Sequence, residues 1–232
     1  MNFSTINESS LHKTLKTIYS QIYQGQTEVE AEGHVYDIVT QKGNIIEIQT
    51  KNLSKLYPKI QDAISKGHRV KIVHPNILQT KIEVYDQENN LLSKRTSPKK
   101  GNIYDIFKEL TGIYPILLDK NFSLEIIQIS VTEKRIRTSE AVQSRNRKRR
   151  FKKNWIKEDR KLSEIIKTIR LNSKEDYISL LPQSLPEEFC AKDLGKELKI
   201  NNPHLIIWVL VRMNVIELTQ THNKSRYYRI CR

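Results

Sequence analysis

The stretch His34-Val-Tyr-Asp-Ile-Val-Thr-Gln-Lys-Gly-Asn-Ile-Ile-Glu-Ile-Gln-Thr50 decides the reading of this chain. Both halves are rich in β-branched residues, and Lys42-Gly43 between them is a turn signal, so the pattern predicts a hairpin of strands 34–40 and 44–50. Side chains alternate across a strand. Glu47, Gln49 and Lys51 therefore share one face, while Ile46 and Ile48 share the other; Asp37 likewise opposes Tyr36 and Ile38. The hairpin brings Asp37 and Glu47 within reach of each other. Two carboxylates and a backbone carbonyl at a strand end can hold a hard cation such as magnesium (or manganese). Such an ion generates hydroxide from water and stabilises charge on a phosphate. The bland alternative is that Asp37, Glu47 and Gln49 form the polar face of a solvated hairpin.

Working outward, Leu11, Leu15, Ile18 and Ile22 recur at helical spacing and predict a helix over 8–23, followed by a short strand at 27–31. Downstream, Leu53, Leu56, Ile60, Ala63 and Ile64 predict a helix over 53–66. Pro58 leaves its start open, since proline is tolerated only near the first turn. A buried strand over 69–74 is expected to end at Pro75. A hairpin of 80–85 with 91–96, helical segments over 103–111 and 113–118, and a strand over 124–131 complete an α/β domain at 1–133. A basic linker is expected at 134–158. After it, helices are expected at 159–171 (on Leu162, Ile165, Ile166 and Ile169), 174–181, 191–198 and 203–213, then a hairpin of 215–218 with 226–230. Helix, turn, helix, hairpin is a winged-helix pattern, giving a helical, winged-helix-like domain at 159–232.

Charge narrows the function classes. The 232-residue chain carries a formal net charge of +14. Residues 1–133 hold 16 Lys and Arg against 15 Asp and Glu, whereas residues 134–160 hold 12 against 3. The core of that excess is Arg145, Arg147, Lys148, Arg149, Arg150, Lys152 and Lys153, seven cations in nine residues. Cations at this density gain affinity for a phosphate backbone by counterion release, and Phe151 and Trp155 can stack on bases. A solvated linker is the competing reading. Lys99 and Lys100 in Ser97-Pro-Lys-Lys-Gly101 form a basic turn suited to a phosphate. Lys224, Arg226 and Arg229 do the same on the expected wing. The helix 203–213 is apolar all round, so Ile207, Trp208 and Val211 need cover from the first domain, a second protomer or a partner protein. DNA is the expected partner.

Other classes lose support. No apolar run approaches the roughly 20 residues of a spanning helix. Met1 to Ser10 lacks the apolar block of a secretion signal, and Cys190 and Cys231 form no CxxC pair, so a reducing cytoplasm is expected. There is no phosphate-binding glycine loop and no GxSxG.

The helix–hairpin–strand–helix–strand order, with Asp37, a ten-residue step and Glu47-Ile-Gln49, resembles the PD-(D/E)xK superfamily of restriction endonucleases and Holliday-junction resolvases. The resemblance covers roughly residues 8–75. It implies a restriction-endonuclease-like mixed sheet flanked by helices. It also implies Asp37 and Glu47 as metal carboxylates, and Glu8 as the added glutamate of resolvase-type members. Helical spacing puts His12 one turn beyond Glu8, where it lines the same cleft or is a plain surface histidine. Gln49 stands where the catalytic lysine usually lies; some restriction enzymes of the superfamily carry glutamine there, and Lys51 can substitute. Glu8-Ser-Ser-Leu-His12, Tyr36-Asp-Ile-Val39, Ile46-Glu-Ile-Gln-Thr50, Val73-His-Pro75 and Ser97-Pro-Lys-Lys-Gly101 are also similar to an uncharacterised bacterial family with a basic segment and a winged helix. The expectation is a magnesium-dependent DNA endonuclease with Glu8, Asp37, Glu47, Gln49 and Lys51 in its site. The alternatives are a non-catalytic DNA-binding regulator on an inactive nuclease fold and a protein-interaction adaptor.

Overall fold

The computed structural model describes residues 9–144, 147 and 150–231. Helix α1 (Ser10–Ile22) starts where the Ser9 side chain accepts a hydrogen bond from the His12 N–H, and it buries Leu11, Leu15 and Tyr19. Strands β1 (Gly25–Ala31), β2 (His34–Thr40) and β3 (Ile45–Ile48) follow. They turn at Gly33 and Gly43, both at positive φ, which glycine adopts without steric cost. A 3-10 turn at Leu53–Leu56 runs into α2 (Tyr57–Ser65), with Pro58 in its first turn. Strand β4 (Val70–Tyr85), β5 (Leu91–Thr96), α3 (Ile106–Leu110), β6 (Phe122–Val142) and β7 (Lys153–Leu171) complete a seven-stranded sheet. Its order is β1-β2-β3-β4-β6-β7, with β5 paired to β4. The β3–β4 and β4–β6 pairs are parallel and the others antiparallel. The protein is thus α/β, with a large mixed sheet flanked by helices.

The two faces of the sheet are covered differently. Leu11, Leu15 and Tyr19 of α1 pack on Ile38, Ile46, Ile48, Val73, Ile127 and Ile129. The opposite face packs Ile45, Ile72, Leu124 and Ile126 against Ile60 and Ala63 of α2 and Phe107 and Leu110 of α3. Cover on both sides explains why β3 and the first halves of β4 and β6 are buried almost continuously rather than at alternate residues.

Three expectations are corrected here. First, β4 runs through Pro75 instead of ending there. Ile45 N–H donates to the Arg69 carbonyl and Gln49 N–H to the Val73 carbonyl, so odd-numbered residues of β4 face β3. Pro75 is the next of these, and β3 has ended by then, so the missing N–H breaks no ladder bond. Second, residues 159–171 are strand, not helix. Leu162, Ile165 and Ile169 sit opposite Val131, Ile129 and Ile126, and extra residues are inserted between Gln128/Ile129 and Ser130/Val131. One bulge stretches the two-residue repeat to three between Leu162 and Ile165, and the other turns Ile169 to the opposite face, where it packs with Leu124 and Ile126; the resulting steps of three and four imitate a helical period. Third, residues 134–158 are not a free linker. Most belong to the β6–β7 hairpin, with the pairs Arg135↔Lys157, Arg137↔Trp155 and Val142↔Lys153. The boundary expected at 133–134 therefore falls inside β6.

The C-terminal segment comprises α4 (Lys174–Ile178), β8 (Phe189–Cys190), α5 (Ala191–Leu198), α6 (His204–Arg212), β9 (Ile216–His222) and β10 (Ser225–Ile230). Its three strands form a separate sheet, β8-β10-β9. Tyr177, Phe189, Leu194, Ile206, Leu210 and Val215 join the same apolar cluster as α2 and α3. The Tyr104 hydroxyl donates to the Leu180 carbonyl at 2.9 Å, and Trp208 meets Tyr114 edge-on at 5.2 Å. The first part of the chain thus covers much of α6: Ile207 is buried, while Trp208 stays 39% exposed.

Candidate active site

Strands β2 and β3 pair only at Ile38↔Ile46 and Val39↔Ile45. Just beyond, where the two strands part, Asp37 and Glu47 take over the backbone donors. The Asp37 carboxylate accepts from Ile48 N–H at 2.8 Å, and the Glu47 carboxylate accepts from Asp37 N–H at 3.2 Å. The sequence thus brings the two acids together as expected, at the carboxyl end of β3. From one side His12 of α1 places Nε2 3.4 Å from Asp37 Oδ2. From the other, Lys59 of α2 places Nζ 2.7 Å from Glu47 Oε1. Lys59 also donates to the Val35 carbonyl and lies over the Tyr36 ring, 4.8 Å from its centroid.

The electrostatics separate the two acids. Glu47 is 3% exposed. Burial and then the charge of Asp37 push its carboxyl up to about 7, against the pull of Lys59. Burial also acts to raise Asp37, but the hydrogen bond and charge of His12 and the Ile48 N–H outweigh it, so Asp37 is held below the usual range. One acid is easily ionised and its neighbour is reluctant, a division found where environments set acid–base roles.

The remaining expected residues scatter. The side-chain amide of Gln49 donates to the Asn52 carbonyl at 3.3 Å, and the Gln49 backbone carbonyl accepts from His74 Nδ1 at 2.7 Å. Burial, first of all, lowers His74 despite that hydrogen bond, so the ring is neutral and donates. Lys51 is exposed on the turn after β3. Glu8 lies outside the described residues. The residue that sequence reasoning missed is Lys59. Its signal was the segment Tyr57-Pro-Lys-Ile60: Ile60 faces the core, and the first turn of a helix that follows β3 so closely sits above the end of that strand.

Among the described residues no group of three or more His, Cys, Asp and Glu side chains is arranged to hold a metal ion. The donors present are two carboxylates. Their contacts above fall on Oε1 of Glu47 and Oδ2 of Asp37, so each has a second oxygen outside them. Magnesium keeps several waters and is commonly bound by one or two carboxylates plus substrate phosphate. The pair fits that ion and does not make a closed protein cage.

The expected nucleic-acid contacts lie on three surfaces. Lys99 and Lys100 are exposed on the turn after β5. That turn is tied to β4 by Ser97 N–H to the Thr80 carbonyl and Gly101 N–H to the Leu78 carbonyl. Arg147, Arg150, Lys152 and Lys153 are exposed at the tip of the β6–β7 hairpin; Arg145, Lys148 and Arg149 lie outside the described residues. Phe151 is exposed there, whereas Trp155 sits under the Arg135 guanidinium at 3.7 Å. Lys224 and Arg226 are exposed at the β9–β10 turn, while Arg229 pairs with Glu217 at 2.8 Å.

Fold and site together define an α/β protein whose mixed sheet carries a carboxylate pair, Glu47 buried and Asp37 half-buried, at the end of a parallel strand. Within that class the chain belongs to the family described as Domain of unknown function (DUF8091), whose model matches residues 9–172. The match ends just after β7. The chain is also similar to an uncharacterized protein of Treponema pallidum (strain Nichols), 31% identical over 198 residues, covering 84% of this chain and 74% of that protein. No solved structure matches the chain significantly. Among the described residues no helix is long and apolar enough to cross a membrane.

Proposed function

We propose that this protein is a magnesium-dependent DNA endonuclease of restriction-endonuclease-like type, with Asp37 and Glu47 as its metal carboxylates. The observation that carries the reading is the pairing of these two acids where β2 and β3 part, with Glu47 buried against Asp37. A bound magnesium ion supplies positive charge against the phosphodiester. Asp37 and Glu47 hold it, Lys59 offsets the charge of Glu47, and His12 orients Asp37. The Gln49 amide would have to leave the Asn52 carbonyl to reach an attacking water, and Lys51 would have to reach it from the exposed turn after β3.

Binding of the duplex is assigned to the basic surfaces. Beyond Ile136 the β6–β7 hairpin is a two-stranded ribbon, a shape that the major groove admits, and its tip carries the densest positive charge of the chain. The α5–α6 pair with the β8-β10-β9 sheet is read as a winged helix, its wing presenting Lys224 and Arg226. Because α6 is apolar and partly covered by the first part of the chain, this unit contacts backbone rather than base edges. The exposed Trp208 on α6 is the surface that remains for a partner protein or a second protomer.

A second reading, a DNA-binding protein on an inactive nuclease fold, is favoured by one observation: the Gln49 amide is turned to Asn52 rather than to the carboxylates. The deciding experiment is cleavage of supercoiled, linear and branched DNA with magnesium, manganese or chelator, alongside Asp37→Ala and Glu47→Ala. Metal-dependent nicking that both substitutions abolish is the expected result. Tight binding without cleavage on every substrate selects the second reading.

A further inference from the structure

A second polar recess lies at the other end of the parallel strands. Residues at the amino ends of β3, β4 and β6 and the last turn of α1 enclose a cavity of about 350 Å³. Four cationic side chains line it, Arg69, Lys71, Lys120 and Arg170, against one carboxylate, Glu125. Glu125 is 4% exposed. It is engaged by the Tyr19 hydroxyl, by Lys71 Nζ at 3.2 Å and by Arg170 Nε at 3.2 Å. Lys71 is held further by the Tyr23 hydroxyl at 2.5 Å and by the face of that ring, 4.5 Å away.

Glu125 thus anchors two of the cations and cannot neutralise all four. Arg69 and Lys120 have no carboxylate partner among the described residues. Tyr23 caps the carboxyl end of α1, whose dipole amounts to roughly half a negative charge, so the lining still holds a surplus of about two and a half positive charges. Like charges gathered around a recess are costly unless an anion shares it. The rest of the lining is mixed: the half-buried Tyr23 ring and the polar side chains of Asn44, Asn121 and Ser123 border it, while Ile46, Val70 and Leu124 are themselves buried. A ligand that suits this lining has an anionic head and a compact, partly polar body.

We propose that this cavity binds a small phosphate ester of about mononucleotide size, its phosphate held by Arg69, Lys71, Lys120 and Arg170. The volume lies at the lower end of the range of small-molecule sites, and guanidinium groups match phosphate oxygens with paired donors. A duplex presents phosphates spaced along a rod; a recess of this size admits one phosphate and its substituent. The site is distinct from the carboxylate pair and stands whether or not Asp37 and Glu47 hydrolyse DNA.

The test is calorimetric titration of the full chain with inorganic phosphate, adenosine 5′-monophosphate and adenosine, and a parallel titration with a labelled DNA duplex. The variants are Arg69→Glu, Lys120→Glu and Lys120→Arg, at exposed side chains that leave the Glu125 network intact, with Asp37→Ala as a control. Saturable one-site binding of the monophosphate is expected, displaced by inorganic phosphate and at least tenfold stronger than binding of adenosine. Each charge reversal should weaken it at least tenfold, with the thermal midpoint nearly unchanged; Lys120→Arg and Asp37→Ala should retain it. No saturable binding, equal binding of adenosine, or charge reversals that weaken the duplex and leave the monophosphate untouched would each overturn the assignment.

Discussion

Replacing Lys59 by methionine tests the charge balance at the carboxylate pair. Methionine keeps most of the aliphatic stem over Tyr36 and removes the one cation on Glu47 Oε1 among the described residues. Breaking a buried pair by removing one partner typically costs about 3–5 kcal/mol, because the other charge is left uncompensated. Here the cost depends on pH. Burial and Asp37 already raise Glu47 from 4.5 to about 7 in the folded protein. A raised carboxylate means that the folded state holds its proton through a range where the unfolded chain has released it. Stability from this group therefore falls as pH rises from about 4.5 and levels off above the folded value. The shift of about 2.5 units corresponds to roughly 3 kcal/mol across that window. Without Lys59 the folded value climbs further, so Lys59→Met should cost about 3 kcal/mol or more near pH 8 and about 1 kcal/mol near pH 5, where Glu47 is already protonated. Urea unfolding of wild type, Lys59→Met, Glu47→Gln and the double variant at both pH values reads this as a double-mutant cycle. Equal costs at the two pH values, or a double variant no more stable than Lys59→Met near pH 8, would refute the charge argument.

Further outcomes follow from single contacts. Gly101→Ala places a Cβ 2.0 Å from the Ile77 carbonyl oxygen; because that oxygen is backbone, the variant should lose about 1–3 kcal/mol in urea titration. Glu133 is buried between Arg135 and Arg160 at 2.7 and 2.9 Å. Burial raises its carboxyl, but the two guanidinium groups outweigh it and hold it low. Its stabilisation is therefore present above the ordinary glutamate range and lost as pH falls, and Glu133→Gln should destabilise the protein near neutrality while flattening the acid limb of a stability–pH curve. Lys152→Glu with Lys153→Glu at the hairpin tip should weaken duplex binding and reduce the slope of log K against log salt by about 2, measured by fluorescence anisotropy across salt concentrations. If magnesium binds the pair, a concentration a hundred times its Kd should stabilise wild type by about 2.7 kcal/mol, and Glu47→Gln should remove that gain in thermal unfolding.

The parts of the fold that were legible share a property: their periodicity comes from local structure. α1 showed its stripe of Leu11, Leu15 and Ile18, and β1 to β3 showed their turns at Gly33 and Gly43. The illegible parts are governed by distant partners. β7 carries a helix-like spacing at Leu162, Ile165 and Ile169, but bulges re-register it on β6, some 30 residues earlier in the chain, so that Leu162 meets one face of the sheet and Ile169 the other. Pro75 reads as a strand stop to any local rule, and becomes harmless once the length of β3 is known. Residues 134–158 read as a linker because their charge masks any strand alternation; the pairing is made between the segment's own two ends, Arg135 with Lys157 and Val142 with Lys153.

The candidate site divides along the same line. Asp37 and Glu47 were legible because a hairpin is a local object: a three-residue turn between Thr40 and Asn44 fixes which side chains meet. Lys59 was not, because its position depends on how α2 crosses back over β3. That crossing also changes what the glutamine at position 49 implies. Read along the strand, Gln49 is a missing lysine and points toward lost activity. In three dimensions, an ammonium group does stand against Glu47, delivered from the helix rather than from the strand. The cation stands 2.7 Å from Glu47 Oε1, where it offsets the glutamate charge and competes with any metal for that oxygen. Lys59→Met therefore separates two roles that position 49 alone leaves merged: if Lys59 only balances charge, magnesium should bind the variant more tightly while cleavage persists; if it also acts on the substrate, cleavage should fall although magnesium binding rises.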